Sequence, residues 1–158
     1  MKTELSVAYV DHNTLQSGFE NADDHRYLQT VAKKHGVWFS RPGNGICHQV
    51  QLERFGKPGR TLIGSDSHTR YGALGTMAVG EGGPELVKQL LNRTYDIKRP
   101  QVVAVYLTGR PHPGVGPQDV ALAIIGAVFK RGYVKNKVME FIGDGIASLG
   151  VEYRSGID

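Results

Sequence analysis

The sequence contains a single cysteine, Cys47, among its 158 residues. One thiol cannot form an internal disulfide framework, and alone it cannot hold an iron–sulfur cluster or a structural zinc ion. No apolar run approaches the roughly 20 residues that span a bilayer, and no signal peptide is visible at the N-terminus. We therefore predict a cytoplasmic protein with no membrane partner.

Concentrated charge is also lacking. The formal net charge is +4, and no Lys/Arg block interleaved with aromatic residues is present, as a nucleic-acid interface would require. We expect no nucleic-acid partner, and the small positive excess fits a small anionic ligand. Glycine, in contrast, is abundant: 21 of the 158 residues are glycine, well above the usual share of about 7%. Because the glycines cluster beside polar and histidine-bearing segments, they indicate tight turns and close backbone approaches.

The order of apolar runs and helical patterns predicts the fold class. Short apolar runs predict strands at residues 5–10, 37–39, 61–63, 101–107 and 138–142. Helical patterns lie between them at residues 21–35, 72–83, 85–92 and 116–132, and none is predicted after the last strand. This alternation favours an α/β fold with a mostly parallel sheet and helices on both faces, a three-layer α/β/α arrangement. We predict one such domain over residues 1–158, with the valine-rich strand at 101–107 fully buried.

Three polar groups follow three of the predicted strands. Asp11-His12 follows the first strand, His48 follows the second strand and its glycine turn, and Asp66-Ser67-His68 follows the third. Ligands of open α/β sheets bind beyond the carboxyl ends of the strands, so we expect these groups to meet at one edge. A histidine near an aspartate is held in one tautomer and its pKa rises, which suits proton transfer. Ser67 and nearby glycine N–H groups can hold a substrate carboxylate.

Each of these groups also has a structural explanation when it is taken alone. Asp11-His12 can be ordinary surface residues, His48 can be a turn histidine, and Asp66-Ser67 can cap a helix. Cys47 is more typical of a small buried residue than of a nucleophile. The remaining histidines fit ordinary helix or loop positions: His25, His35 and His112. Only the shared placement at three strand ends favours a functional site.

The same segments resemble the aconitase superfamily. The resemblance rests on Val10-Asp11-His12, on Gly45-Ile46-Cys47-His48-Gln49 and on Gly64-Ser65-Asp66-Ser67-His68-Thr69, with further matches over residues 114–120 and 138–143. The matches run in order over nearly the whole chain, and the Asp-Ser-His-Thr run is highly specific. The resemblance implies the fold of the first domain of aconitase. It also implies hydro-lyase chemistry, in which water is removed from a hydroxy acid such as citrate or isocitrate and added back through aconitate, as in the tricarboxylic acid cycle.

The resemblance also implies roles for individual residues. The implied site consists of the catalytic residues Asp11, His12, His48, Asp66 and His68 and the substrate-binding Ser67. Asp11 with His12 would help to protonate the departing hydroxyl group, and His48 would pair with Asp66. The family uses a [4Fe–4S] cluster, whose three cysteines are expected downstream of residue 158. We therefore expect no metal or cluster to be bound by this chain alone.

One departure from the family pattern leaves the substrate open. Thr69-Arg70-Tyr71 stands where the family commonly has an asparagine or a polar pair, and it can bring Arg70 near an acidic substrate. We expect an internal fragment of an aconitase-like enzyme that is inactive alone and is completed by the remaining domains of its parent. The alternatives are an isopropylmalate or homoaconitate hydratase relative, a non-catalytic α/β anion-binding module, and a zinc hydrolase that uses His12, His48 and His68 with Asp66.

Overall fold

The computed structural model describes residues 3–72 and 75–158 and has the mixed α/β class that the sequence predicts. Its packing divides the chain into two compact units, one ending at Asp96 and the other beginning at Ile97. The strands of the described residues form three parallel pairs, β1 with β2, β3 with β4, and β5 with β6. Among the helices of these residues, none is both long and apolar enough to cross a membrane.

The first unit contains two of the parallel pairs. Its elements are β1 (Val7–Tyr9), α1 (Phe19–His35), β2 (Trp38–Ser40), α2 (Cys47–Arg54), β3 (Thr61–Gly64), a 3₁₀ turn (Thr69–Gly72), β4 (Met77–Gly80) and α3 (Gly83–Leu90). Helix α1 ends at Gly36, which adopts a left-handed conformation with φ of 69° and directs the chain into β2. Three strand ends of this unit lead into polar segments, after Tyr9, after Ser40 and after Gly64.

A buried histidine fastens the loop that follows β1. His25 of α1 lies 2.7 Å through Nε2 from the carbonyl oxygen of Asn13 and 2.7 Å through Nδ1 from the side-chain nitrogen of Gln16. The ring is among the few buried polar groups of the described residues. The sequence pattern predicts only an ordinary helix residue here, whereas the ring holds the segment just beyond Asp11-His12 against α1.

The second unit pairs β5 with β6 and adds three helices. Its elements are β5 (Val102–Tyr106), α4 (Pro117–Val128), β6 (Val138–Ile142), α5 (Asp144–Ala147) and α6 (Val151–Ile157). Helix α4 begins with Pro117 in its first turn, and the side chain of Asp119 accepts a hydrogen bond from the N–H of Gly116 at 2.8 Å. Helix α6 packs on α4, and the hydroxyl group of Tyr153 donates to the carbonyl oxygen of Val115 at 3.0 Å.

Four features of secondary structure and burial differ from the predictions. The small residues of 72–83 predicted a helix, but Met77–Gly80 is a strand paired with β3, and residues 73 and 74 lie outside the described residues. No helix was predicted after Ile142, yet α5 and α6 follow it. The strand at 101–107 is not fully buried, because Val102 and Tyr106 are 60% and 66% exposed. Helix α2 was not predicted at all.

The small residues of β4 do mark a close approach, although the element is a strand. Gly80 pairs with Gly64 at the end of the β3–β4 ladder. A Cβ atom at Gly80 would collide with the carbonyl oxygen of Asp66 and would lie 3.2 Å from the Cα atom of Ser67. Both contacts are with backbone, which cannot turn aside as a flexible side chain can. Gly80 therefore lets the Asp66-Ser67 segment lie directly against the sheet.

We expect Gly80→Ala to destabilise the protein by about 1–3 kcal/mol, the usual cost of forcing extra atoms into packed structure. Gly83→Ala is the matched control, because a Cβ atom there would meet nothing within 4 Å. It should change the free energy of unfolding by no more than about 0.5 kcal/mol. Urea unfolding of the two variants measures the difference, and equal stabilities would contradict the close packing of Gly80.

Candidate active site

The carboxylate of Asp11 follows β1 and is held by the start of α2. The backbone N–H of Cys47 donates to Asp11 Oδ2 at 2.6 Å, and His12 Nδ1 lies 2.8 Å from Asp11 Oδ1. The Asp11 side chain is only 8% exposed. Burial opposes ionisation, but the hydrogen bonds from Cys47 and His12 outweigh it and lower the pKa of Asp11 to about 2. Asp11 is therefore a carboxylate at neutral pH.

His12 lies between two carboxylates. Its Nδ1 faces Asp11, and its Nε2 lies 3.3 Å from Asp66 Oδ2. The hydrogen bond and charge of Asp11, with the charge of Asp66, raise the pKa of His12 above its ordinary value. The ring is 70% exposed, so a molecule in solution can reach it. This arrangement favours an imidazolium that can give a proton to a bound molecule.

The carboxylate of Asp66 contacts three imidazole rings. Its Oδ1 accepts the backbone N–H of His68 at 2.6 Å and lies 3.0 Å from His48 Nε2 and 3.3 Å from His68 Nδ1, while its Oδ2 faces His12. The hydrogen bond from the His68 backbone lowers the pKa of Asp66 most; burial opposes this shift, and the charges of the three histidines support it. One ionised carboxylate therefore orients rings from three separate segments.

The backbone of the loop after β3 is fixed by its own hydrogen bonds. The carbonyl oxygen of Asp66 accepts from the N–H of Thr69 at 3.2 Å and from its hydroxyl group at 2.7 Å. Arg70 donates through Nε to the carbonyl oxygen of Ser67 at 3.1 Å. Ser67 and His68 are exposed, and Ser67 Oγ lies 3.3 Å from His68 Nδ1. These contacts present a hydroxyl group and an imidazole to solvent beside Asp66.

The predicted residues thus lie together within one unit. Contacts of 2.6–3.3 Å connect the residues of the set, Asp11, His12, His48, Asp66, Ser67 and His68. The sequence pattern did not identify two supports of the site, the backbone N–H of Cys47 and the side chain of Thr69. The Asp66-x-x-Thr69 spacing, which suits side-chain to backbone bonding in a tight turn, was the available signal for the second. The catalytic roles of the set stay predictions.

Cys47 does not fit the role of a cluster ligand. Burial, followed by the hydrogen bond and charge of Asp11, raises the pKa of its thiol to about 12. Iron–sulfur clusters are held by several cysteine thiolates, and this chain has one cysteine, which stays protonated at neutral pH. The residues of this chain therefore do not fit a [4Fe–4S] cluster. Cys47 instead contributes its backbone N–H to Asp11.

The histidine–carboxylate pair gives the site a specific pH dependence. The pKa of Asp11 lies below its value of 3.8 in the unfolded chain, so its contribution to stability is complete above 3.8 and is lost as the pH falls through about 2. We expect His12→Ala to raise the pKa of Asp11 toward 3.8, because one hydrogen bond and one positive charge are removed. Carboxyl-carbon NMR titration measures this shift. Asp23→Asn, an exposed change on α1, should leave the pKa of Asp11 unchanged, and an equal response to both variants would contradict the pairing.

Known proteins with similar sequences are long enzymes. The chain is 39% identical over 130 residues to the mitochondrial aconitate hydratase of Schizosaccharomyces pombe, which covers 82% of this chain and 16% of that protein. It is 38% identical over 130 residues to an aconitase–ribosomal protein bL21m fusion protein of the same organism, with 82% and 14% covered. It is 36% identical over 130 residues to the mitochondrial homocitrate dehydratase of Saccharomyces cerevisiae, with 82% and 16% covered.

The chain spans less than a fifth of the length of these curated relatives. Two of the three carry mitochondrial names, and the cytoplasmic location expected from the sequence stays a prediction. The model of the Aconitase family (aconitate hydratase) matches residues 2–158, nearly the whole chain. With the motif residues gathered around Asp66 and a family match of this extent, the chain belongs to the aconitase family.

Proposed function

We propose that this chain supplies the proton-transfer part of a hydro-lyase active site that acts on a hydroxy di- or tricarboxylic acid. The placement of His12 between Asp11 and Asp66, with contacts of 2.8 and 3.3 Å, carries the proposal. Membership of the aconitase family supports hydro-lyase chemistry, and the small share of its relatives that the chain covers supports an active site completed by further domains of a parent enzyme.

His12 acts as the general acid in this proposal. A hydroxide ion is a poor leaving group, so the departing hydroxyl group needs a proton as its bond to carbon breaks. His12 gives that proton from Nε2, and the hydroxyl leaves as water. The ring keeps its Nδ1 proton, which stays hydrogen-bonded to the Asp11 carboxylate. In the reverse reaction the neutral Nε2 takes a proton from the attacking water.

Asp66 and the loop beside it position the substrate and the acid. Asp66 orients His12 and His48 through its two oxygens. The hydroxyl group of Ser67 and the ring of His68 face solvent next to it, where they can bind a substrate carboxylate. The base that takes the carbon-bound proton is expected, by the family resemblance, outside residues 1–158. The [4Fe–4S] cluster of the family likewise belongs to other parts of the parent.

Citrate and isocitrate are the first choice of substrate, because two of the three relatives described above carry aconitase or aconitate hydratase names. A homocitrate-type substrate is the second choice, and the relative named homocitrate dehydratase favours it. Arg70 is exposed beside Ser67, so its guanidinium can contact an additional carboxylate or exclude a longer chain. Comparison of aconitate and homoaconitate as substrates of the parent enzyme would separate the two.

We expect His12→Ala in the full-length parent to lower kcat by about 10²–10⁴-fold, the usual contribution of a general acid, with KM changed much less. His35→Ala is the matched control, since it removes an exposed histidine of α1 outside the site. Steady-state hydration of aconitate gives both constants, and cluster content must be equal in the compared proteins. Loss of activity in both variants, or in neither, would contradict the assigned role.

We expect the 158-residue chain alone to be inactive. Its single cysteine cannot hold the iron–sulfur cluster, and the base that removes the carbon-bound proton is expected outside this chain. The measurement is aconitate formation from citrate or isocitrate after iron–sulfur reconstitution. The parent enzyme, treated identically, is the positive control. Robust turnover by the chain alone would overturn the proposal that other domains complete the site.

A further inference from the structure

The turn that precedes α2 contains an asparagine followed by a glycine, Asn44-Gly45, which the proposed function does not use. We propose that this pair is a site of spontaneous covalent modification, at which Asn44 loses its side-chain amide through a cyclic imide. The product carries a carboxylate at position 44, in either an aspartyl or an isoaspartyl linkage. The pair lies outside the active-site residues described above, and the inference does not depend on the hydro-lyase function.

The reaction needs only water and the two residues themselves. The backbone nitrogen of Gly45, after loss of its proton, attacks the side-chain carbonyl carbon Cγ of Asn44. A bond from this nitrogen to Cγ forms, the bond from Cγ to Nδ2 breaks, and the amide leaves as ammonia with the proton that Gly45 gave up. Water then opens the imide ring. Opening at Cγ gives an aspartyl residue and opening at the main-chain carbonyl carbon gives an isoaspartyl residue, without any oxidant or reductant.

The attacking nitrogen of Gly45 is accessible in the folded protein. Asn44 and Gly45 are both exposed, and among the hydrogen bonds of the described residues none is donated by the N–H of Gly45. Gly45 adopts φ of 132°, a conformation that glycine allows and that side chains disfavour. Because glycine has no Cβ atom, residue 45 does not shield its own nitrogen from the side chain of Asn44.

The other asparagines of the chain provide internal comparisons, because each is followed by a residue that has a Cβ atom. They are Asn13, Asn21, Asn92 and Asn136. Asn92 and Asn136 are also exposed and also lie in turns. Exposure and a turn are therefore shared features, and the following glycine is what distinguishes Asn44.

Loss of the amide changes the contacts at the entry to α2. Asn44 Nδ2 donates to Oγ of the buried Ser40 at 2.8 Å, whereas a carboxylate can only accept from that hydroxyl group. An isoaspartyl linkage also adds a carbon atom to the main chain shortly before Cys47, whose N–H donates to Asp11. We therefore expect the isoaspartyl product to shift the amide NMR signal of Cys47, and an unchanged signal would contradict this consequence.

Ageing of the folded 158-residue protein in mildly alkaline buffer, followed by mass spectrometry of its tryptic peptides, tests the inference. Trypsin releases residues 35–54 as one peptide, in which Asn44 is the only asparagine, and Asn92 lies in the peptide of residues 89–93. We expect Asn44 to lose its amide at least about tenfold faster than Asn92, because the following glycine leaves its nitrogen open to attack. Separate aspartyl and isoaspartyl peptides should appear.

Asn44→Gln is the matched control, because it keeps the amide while its longer side chain would need a larger ring that forms more slowly. It should retain its amide over the same period, and circular dichroism checks that it is folded. If it does not fold, the comparison of Asn44 with Asn92 in the unmodified protein still decides. Digestion in heavy-oxygen water marks any amide that is lost during the digestion itself.

Four results would overturn the inference. They are equal rates at Asn44 and Asn92, an aspartyl product without the isoaspartyl form, equal loss in Asn44→Gln, and amide loss confined to the digestion. Failure here leaves the proton-transfer proposal untouched, since that proposal depends on the kcat of the parent enzyme.

Discussion

The site depends on the ionised carboxylate of Asp66, held in place by the backbone of its own loop. Once the His68 N–H fixes one oxygen at 2.6 Å, the two oxygens define where imidazoles can lie. His12 and His48 come from other segments of the first unit, and both meet this carboxylate within 3.3 Å. Exposed ion pairs contribute little to stability. The arrangement is therefore better explained by the orientation of chemical groups than by stabilisation of the fold.

The two aspartates differ in burial and therefore in what they contact. Asp11 is nearly buried and receives a backbone N–H from the start of α2, so it stays charged and keeps His12 in one orientation. Asp66 is more open and faces three rings. His12 itself is mostly exposed, which allows a substrate to reach the proton that the buried partner helps to hold. A rigid carboxylate behind an accessible imidazole is the arrangement expected of a general acid.

The sequence was sufficient to predict that these residues lie close together, because strand ends can be read from short apolar runs. The expectation was that parallel strands of one sheet carry Asp11-His12 and Asp66-Ser67-His68 to one edge. The two segments do meet, although β1 and β3 belong to different strand pairs of the described residues. The sequence did not distinguish a helix from a strand where small residues allow close packing of either element. The glycine-rich segment before Gly83 indicated close packing, but a close approach is possible for a strand as well as for a helix. The hydrogen bond from the Cys47 N–H to Asp11 was missed, because a backbone N–H carries no side-chain signature.

The exposure of β5 shows a further limit of pattern reading. Valine-rich runs are typical of strands covered on both faces, yet Val102 and Tyr106 remain largely exposed in the described chain. Burial depends on what covers a strand, and a run of apolar residues does not say what that is. The run correctly predicted the strand, and its parallel pairing with β6 agrees with the mostly parallel arrangement that the order of elements indicated.

The close contact between Gly80 and the Asp66-Ser67 backbone divides the loop into two parts for protein engineering. The first part is confined between the sheet and its own hydrogen bonds, so altered residues there would displace the chemistry itself. Arg70 lies beyond this confined part, on the exposed side of the loop. Its side chain is exposed, and a change there removes one hydrogen bond, that of Nε to the carbonyl oxygen of Ser67. Libraries that seek a new acid substrate should therefore hold positions 64–68 and 80 constant and diversify position 70.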